Sequence, residues 1–261
     1  MIKADVIIVG AGPAGSTCAW KLKQKGIDVI LIDKQHFPRS KSCAGWITPN
    51  VLKTLEISPQ AYPHSLTYFD RLHFHIKGLR IPIPTKQFAI RRKELDDWLL
   101  TRSGVPLHHH QVEVIKEENN TYILDDRFQC RFLVGAGGTG CRVFRLLFKD
   151  RYPRNRDQMI TTLEEEFEYP AEDRNCYLWF FDKGLPGYSW YVPKSGGYVN
   201  VGIGGKLNGL KKRGETIREH WQMLVEKLDR RGLLRNHTFS PKGHNYYLRG
   251  RVDKPSTGNC Y

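Results

Sequence analysis

Residues Val6 to Gly15, VIIVGAGPAG, restrict this chain more than any other stretch. Val6, Ile7, Ile8 and Val9 form a β-branched run suited to a parallel strand buried on both faces, and the run stops at Gly10. Gly12 and Gly15 complete a GxGxxG spacing, and Ser16 to Lys25 then reads as a helix ended by Gly26. A second strand, Asp28 to Ile32, closes in Asp33, so the first thirty or so residues describe one βαβ unit. Each part has a role in holding a dinucleotide. Gly10 permits the tight turn, Gly12 lets the backbone approach a pyrophosphate, and Gly15 lets helix and strand pack closely. The helix N-terminus, opened by Pro13 at its first position, brings the N–H donors of Ala14 and Gly15 and positive potential to the anion. Asp33 is placed to accept hydrogen bonds from ribose hydroxyls, with Lys34 beside it, and its carboxylate repels the extra phosphate of NADP.

The remaining pattern has three stages. Leu72 to Ile76 and Leu79 to Ile83 flank Lys77 and Gly78 as a hairpin. Lys93 to Arg102 reads as a helix, and Gln111 to Lys116, Thr121 to Leu124 and Arg127 to Val134 read as strands. Leu163 to Tyr169, Cys176 to Phe181, Tyr188 to Val192 and Tyr198 to Ile203 then read as antiparallel strands. Glu215 to Arg231 places Ile217, Trp221, Leu224, Val225 and Leu228 at helical spacing, a stripe that belongs to a core. The fold class expected is α/β: a Rossmann-like dinucleotide-binding domain, which the resemblance described below makes an FAD-binding domain, interwoven with a mainly antiparallel β-sheet substrate domain. The expected boundaries are 1–68 and 86–150 for the first, 69–85 and 151–250 for the second, with 251–261 returning toward the first.

Composition excludes several classes. No apolar run approaches the ~18 residues of a spanning helix, and Asp5 interrupts any secretory h-region near Met1. The six cysteines show no CxxC pair, which argues against a zinc site or a disulfide framework and for a reducing cytoplasm. His108, His109 and His110 are consecutive, so on a strand they alternate faces, which argues against a metal site shared by the three. A net charge of +14 fits an anionic membrane face or a phosphorylated substrate. Nucleic acid is not expected, since no helix-turn-helix, RNP or zinc pattern accompanies the charge.

GAGPAG with Pro13 resembles the FAD motif of the glutathione-reductase-like flavoproteins, and four later segments resemble the geranylgeranyl reductase family within them. Phe37 to Gly45, FPRSKSCAG, is similar to that family's Lys-x-Cys-Gly-Gly segment. Ala89 to Leu99 carries its RxExDxxL pattern at Arg92, Glu94, Asp96 and Leu99. Leu133 to Gly138 stands in the place of its Gly-Ala-Asp-Gly turn. PGYSWYVPK, Pro186 to Lys194, followed by Asn200, Val201 and Gly202, is similar to PxxYxWxFPK…NVG. The resemblance implies FAD-dependent reduction of prenyl double bonds, on an apolar prenyl substrate that is diphosphate-linked or lipid-linked, with an unidentified reductant. It implies cofactor contacts from Ala44, Gly45, Arg92, Gly135, Ala136 and Gly137, a catalytic thiol at Cys43, and substrate contacts from Tyr188, Trp190 and Pro193. Tyr188 and Trp190 share one side of a strand and would wall an apolar pocket.

The sequence departs from the pattern at three points. Ala44 replaces a glycine, Gly137 replaces an aspartate, and no Leu-Val-Gly-Asp-Ala-Ala-Gly segment appears before Tyr261. The third departure leads to the expectation of a truncated flavoprotein with weak or absent FAD binding. Two alternatives stand beside the reductase: an aromatic monooxygenase or halogenase of the same fold, and an inactive remnant that keeps an ADP-binding βαβ unit. A halogenase pattern would have Trp where Tyr188 stands.

Overall fold

The structure, a computed structural model, describes residues 1–248 and 255–261. In chain order the elements are β1 (Ile2–Val9), α1 (Pro13–Lys23), β2 (Val29–Asp33), β3 (Trp46–Ile47), α2 (Pro49–Thr54), β4 (Leu66–Ile76), β5 (Leu79–Ile90), α3 (Arg92–Ser103), β6 (Leu107–His109), β7 (Ile115–Glu118), β8 (Thr121–Leu124), β9 (Phe128–Gly135), β10 (Met159–Glu168), β11 (Cys176–Phe180), β12 (Gly187–Lys194), β13 (Tyr198–Lys206), α4 (Leu207–Lys212), α5 (Ile217–Arg230) and β14 (Lys242–Tyr247). They divide into two compact units. The first holds residues 1–40, 93–154 and 255–261, and the second holds residues 41–92 and 155–248.

The first unit is built on a six-stranded sheet in the order β6-β2-β1-β9-β8-β7. β6, β2, β1 and β9 run parallel, and β8 and β7 complete an antiparallel meander. The β-branched run of β1 has apolar neighbours on both sides, as its composition requires. Ile7 and Val9 pack with Ile30, Tyr122, Leu124 and Leu133 on one face. Val6 and Ile8 pack with Ala11, Ala19 and Leu31 on the other. Ile7 and Ile8 are fully buried, each worth roughly 1.5–3 kcal/mol of transfer free energy. The expected strand at Gln111–Lys116 begins only at Ile115, for a local reason. The Asp125 carboxylate accepts the Glu113 N–H at 3.1 Å and the Val114 N–H at 2.7 Å, which takes those donors away from a ladder. His109 turns away from its two neighbours, its Nε2 meeting the Lys34 carbonyl at 2.8 Å, whereas His108 and His110 both lie against Phe128 and His110 Nε2 meets Asp125 at 2.7 Å.

The second unit is an eight-stranded sheet in the order β14-β10-β13-β12-β11-β4-β5-β3, antiparallel except where β11 lies parallel to β4. α5 covers one face. Its Trp221, Leu224 and Leu228 are buried against Tyr191, Val201 and Ile203, and Thr216 with Glu219 forms a capping box at its start. The other face gathers Phe69, Leu72, Leu178, Trp190 and Val192. The unit boundary differs from the sequence expectation. Residues 41–68 and 86–92 lie in the second unit, because β4 and β5 make one long hairpin and β3 pairs along it, Trp46 beside Ala89 and Ile47 beside Phe88. Residues 151–154, expected in the second domain, lie in the first unit. The short elements α2, α4, β6 and β14 carry too few residues for a periodic signal and escaped the sequence reading. Residues 251–254 of the expected return segment lie outside the described residues.

Candidate functional site

In the first unit the chain moves from β1 to β2 on one side, while β9 flanks β1 on the other, so β1 and β9 bound a topological switch point. Open parallel sheets bind ligands at the carboxyl ends of strands at such a point. The nominated glycine turns meet there. Ala136 N–H donates to the Val9 carbonyl at 2.8 Å. Gly10 has φ +114°, and a Cβ on it would lie 2.5 Å from the Ala136 carbonyl carbon and 2.6 Å from Gly137 N. Gly10, Gly135, Ala136 and Gly137 thus form one close-packed tip. A Cβ on Gly137 lies 2.9 Å from Cys141 Cα, so this tip is crowded at the position where the resembling family has aspartate.

Beyond the tip, α1 begins with Gly12 as N-cap and Pro13 in its first turn, with no side-chain cap and no acidic residue there. The Ala14 and Gly15 amides belong to that first turn, whose donors lack intrahelical acceptors. Asp33 ends β2. Its Oδ2 accepts the Ala11 N–H and its Oδ1 the Gln35 N–H, both at 2.8 Å, which fixes the loop against the strand end. Lys34 is exposed beside it.

Arg39 is the residue of this site that the sequence reading quoted within a motif and did not single out. A Cβ on Gly12 would lie 3.4 Å from its Nη2, the nearest atom. The same Nη2 is 3.3 Å from Asp96 Oδ2, whose side chain is fully buried, and the buried Arg39 Nε has no partner among the described residues. A glycine whose Cβ position meets nothing but the Arg39 guanidinium, uncapped helix amides and an orphaned donor together fit a diphosphate. Asp33 at the end of β2 fits the adjoining ribose. FAD, whose adenosine half is linked through a diphosphate, suits this donor set.

The second unit holds the other nominated residues. Cys43, Ala44 and Gly45 lead into β3, and their main chain is gripped by buried side chains from the sheet. Cys43 N–H donates to Glu164 Oε1 at 2.6 Å, and Asn200 Nδ2 donates to the Cys43 carbonyl at 3.4 Å. Gly45 N–H points to Cys43 Sγ at 3.4 Å. The Lys194 ammonium, almost wholly buried, donates to the Ile90 carbonyl at 2.8 Å and to Glu166 at 2.5 Å, and it lies 2.7 Å from where a Gly45 Cβ would sit. Gly45 itself has φ +79°.

The strand register explains the PGYSWYVPK and NVG segments physically. Trp190 lies opposite Gly202 across the ladder. The indole occupies the space a side chain would take there, with Cη2 2.8 Å from a Gly202 Cβ, and its Nε1–H donates to Asn200 Oδ1 at 2.7 Å. Glu164 lies opposite Gly202 on β10, which brings its carboxyl to the same face. Burial holds that carboxyl above the usual range, partly offset by the Cys43 N–H, Lys194 and Asn200. Glu164 carried no signal in the sequence, because a glutamate on an alternating strand reads as a solvent-facing residue.

Tyr188 and Trp190 share one face with Phe74, Phe180 and Leu178. Tyr188 stacks on Phe180 with ring centroids 5.1 Å apart. Pro193 alternates to the opposite face with Tyr191, so it does not join them. Burial pushes the Tyr188 and Tyr246 phenols up, and the Cys43 sulfur is close enough to add to both shifts. Lys41 Nζ reaches His244 Nε2 at 3.5 Å, and burial together with that ammonium pulls His244 down. Arg92, nominated as a cofactor contact, opens α3 half-buried and groups with the second unit. Among the described residues no helix is long and apolar enough to cross a membrane.

Residues 5–98 match the model of the FAD dependent oxidoreductase family. The chain is 30% identical over 236 residues to a menaquinone reductase of Mycolicibacterium smegmatis, covering 77% of this chain and 55% of that one. It is 28% identical over 217 residues to digeranylgeranylglycerophospholipid reductase 2 of Methanopyrus kandleri, covering 77% and 54%. Among solved structures, a geranylgeranyl bacteriochlorophyll reductase-like protein of Thermoplasma acidophilum superposes with a TM-score of 0.84 at 17% identity, over 100% of this chain and 70% of that one. The chain spans about half the length of the curated relatives it matches. The resemblance to flavin-dependent geranylgeranyl reductases, the α/β fold with its Rossmann-like unit, and FAD as the matching cofactor are supported together by these comparisons.

Proposed function

We propose that this chain, resembling the FAD-dependent geranylgeranyl reductases, acts in the reduction of isolated C=C bonds along a prenyl chain. The observation that carries the reading is the face of the second unit where the Tyr188 and Trp190 rings, buried among Phe74, Leu178 and Phe180, lie on the side reached by the clamped Cys43 segment. An unactivated alkene offers no hydrogen-bonding handle, so a protein must orient it by shape and exclude water. Rings with few rotatable bonds do this at low entropic cost.

Reduced flavin, when bound, supplies the hydride that adds to one alkene carbon. The chain supplies the rest. The β1–α1 turn and Arg39 hold the diphosphate, and Asp33 holds the ribose. Cys43 Sγ–H delivers a proton to the second carbon, so that hydride plus proton saturate the bond. The Gly45 N–H beside the sulfur steadies the thiolate that remains. Tyr188 and Tyr246, kept protonated by burial, hold neutral O–H groups near the sulfur, and water restores the thiol proton between turnovers. The substrate is an apolar prenyl chain carrying a diphosphate or lipid headgroup, which the net positive charge of the chain attracts.

The test is anaerobic incubation of the FAD-loaded protein, reduced with dithionite, with geranylgeranyl diphosphate or a digeranylgeranyl phospholipid. The expected product gains the mass of two hydrogens per bond, more slowly in Cys43→Ser. Failure to reduce either substrate, with oxygen-dependent hydroxylation of an aromatic instead, overturns the proposal.

A further inference from the structure

The face of the second unit's sheet that bears α5 also carries a cluster that prenyl reduction does not use. Tyr177 lies beside His73 and Trp179 beside His75 where β11 runs along β4, and Arg80 of β5 lies opposite His75. Their rings form a layer. His75 and Trp179 have centroids 5.7 Å apart at 29°, and Tyr177 and Trp179 are 5.7 Å apart at 20°. Three cations cover the layer. Lys227 Nζ is 4.8 Å and the Arg231 guanidinium 5.5 Å from the Trp179 ring, and the Arg80 guanidinium is 6.0 Å from Tyr177.

The charges are unevenly compensated. Lys227 pairs with Asp182. Asp173 is taken by the Tyr177 hydroxyl at 2.7 Å and by Asn175, whose Oδ1 contacts His73. Arg80 touches His73 Nδ1 at 3.4 Å, and among the described residues neither Arg80 nor Arg231 has a carboxylate partner. Beneath these cations two buried polar atoms have no hydrogen-bond partner: Trp179 Nε1, in a residue only 3% exposed, and His75 Nε2. An indole N–H can only donate, and native proteins rarely leave a buried donor unpaired. The indole N–H under this surplus positive charge lacks an acceptor, and an anion would supply one, while the His75 ring stacked beside it carries a second unpartnered nitrogen.

We propose that Trp179, His75, Arg80 and Arg231 form a binding site for a phosphate-class oxyanion, on the sheet face opposite the Tyr188 and Trp190 wall. A multiply charged phosphate matches the two uncompensated guanidiniums better than a single carboxylate does, and its oxygens take the indole N–H and the guanidinium donors at once. Entry requires the flexible Arg80, Arg231 and Lys227 side chains to lift from the rings. The same chemistry is offered by a free diphosphate and by a phospholipid headgroup. The site stands independently of the reductase reading.

The experiment follows the His75 imidazole of the full chain by NMR during pH titration, with inorganic pyrophosphate and, separately, with phosphatidylglycerol vesicles. Burial and the nearby Arg231, Arg80, His73 and Lys227 pull His75 down to about 4. An anion among those cations favours the charged ring, so its midpoint moves upward. A rise with pyrophosphate alone supports a soluble phosphorylated ligand. A rise with vesicles, accompanied by co-sedimentation, supports a lipid headgroup. The Arg80→Gln/Arg231→Gln variant is expected to weaken either response by about tenfold or more. Trp179→Phe, which keeps the ring and removes the N–H, is expected to weaken it with an unchanged melting temperature. An unmoved His75 midpoint with both probes, or undiminished binding in the double arginine variant, overturns the site.

Discussion

Two glycines of one motif are expected to fail in opposite ways when each becomes alanine. At Gly10 a Cβ falls 2.5 Å from the Ala136 carbonyl carbon and 2.6 Å from its oxygen and from Gly137 N, all of them main-chain atoms. Ordinary contact begins at 3.4 Å, so the neighbouring turn must retreat by about 0.8–0.9 Å, and overpacking of this kind costs about 1–3 kcal/mol. The φ of +114° adds about 1–3 kcal/mol of backbone strain for any L-residue. Gly10→Ala therefore loses about 2–6 kcal/mol out of a typical 5–15, a drop in melting temperature on the order of 10 °C. At Gly12 the backbone is extended with φ −71° and ψ −175°, and the nearest atom to a Cβ is Arg39 Nη2 at 3.4 Å. Gly12→Ala costs folding only about 0.5–1 kcal/mol through a poorer N-cap. Its methyl group instead fills the space above the helix amides and obstructs one or two charge-assisted hydrogen bonds, about 1.5–3 kcal/mol each, so FAD or ADP affinity falls by roughly tenfold to a hundredfold or more. Differential scanning fluorimetry and calorimetric titration with ADP and FAD read the two effects. If Gly12→Ala binds as well as the parent chain, the amides of this turn do not hold the diphosphate and the cofactor argument fails.

Three further outcomes are expected. Glu164→Gln removes a buried carboxyl held above its usual 4.5 by burial. In the parent chain the stability associated with its protonated form is present below 4.5 and is lost as pH rises through the raised value, whereas the Gln variant should show a flatter urea-midpoint profile over that window; parallel profiles would refute the assignment. Gly202→Ala drives a methyl group into the Trp190 indole and pulls Nε1 from Asn200, costing about 1–3 kcal/mol and changing the near-ultraviolet circular dichroism of tryptophan. Thr216→Ala dismantles the capping box of α5 and should lower the urea midpoint by the equivalent of about 1 kcal/mol without altering FAD binding.

The sequence by itself determined the first βαβ unit. A β-branched run, three spaced glycines and a terminal aspartate each answer a backbone requirement that local geometry sets, and all of them act within thirty-odd residues. It also determined that Tyr188 and Trp190 share a face, since strand alternation is a local property. What it did not determine depends on partners distant along the chain. The unit boundary at residue 41 follows from β3 pairing with the far end of β5. Glu164 reaches Cys43, 121 positions away, only because β10 and β13 are in a register that turns its carboxyl inward. The layer of His75, Trp179, Arg80 and Arg231 draws on three strands and the end of a helix. Spacing along a chain encodes turns, caps and periodicity, whereas burial of a charge or the orphaning of an N–H is a property of the surroundings, and those exist only once the sheet has closed over them.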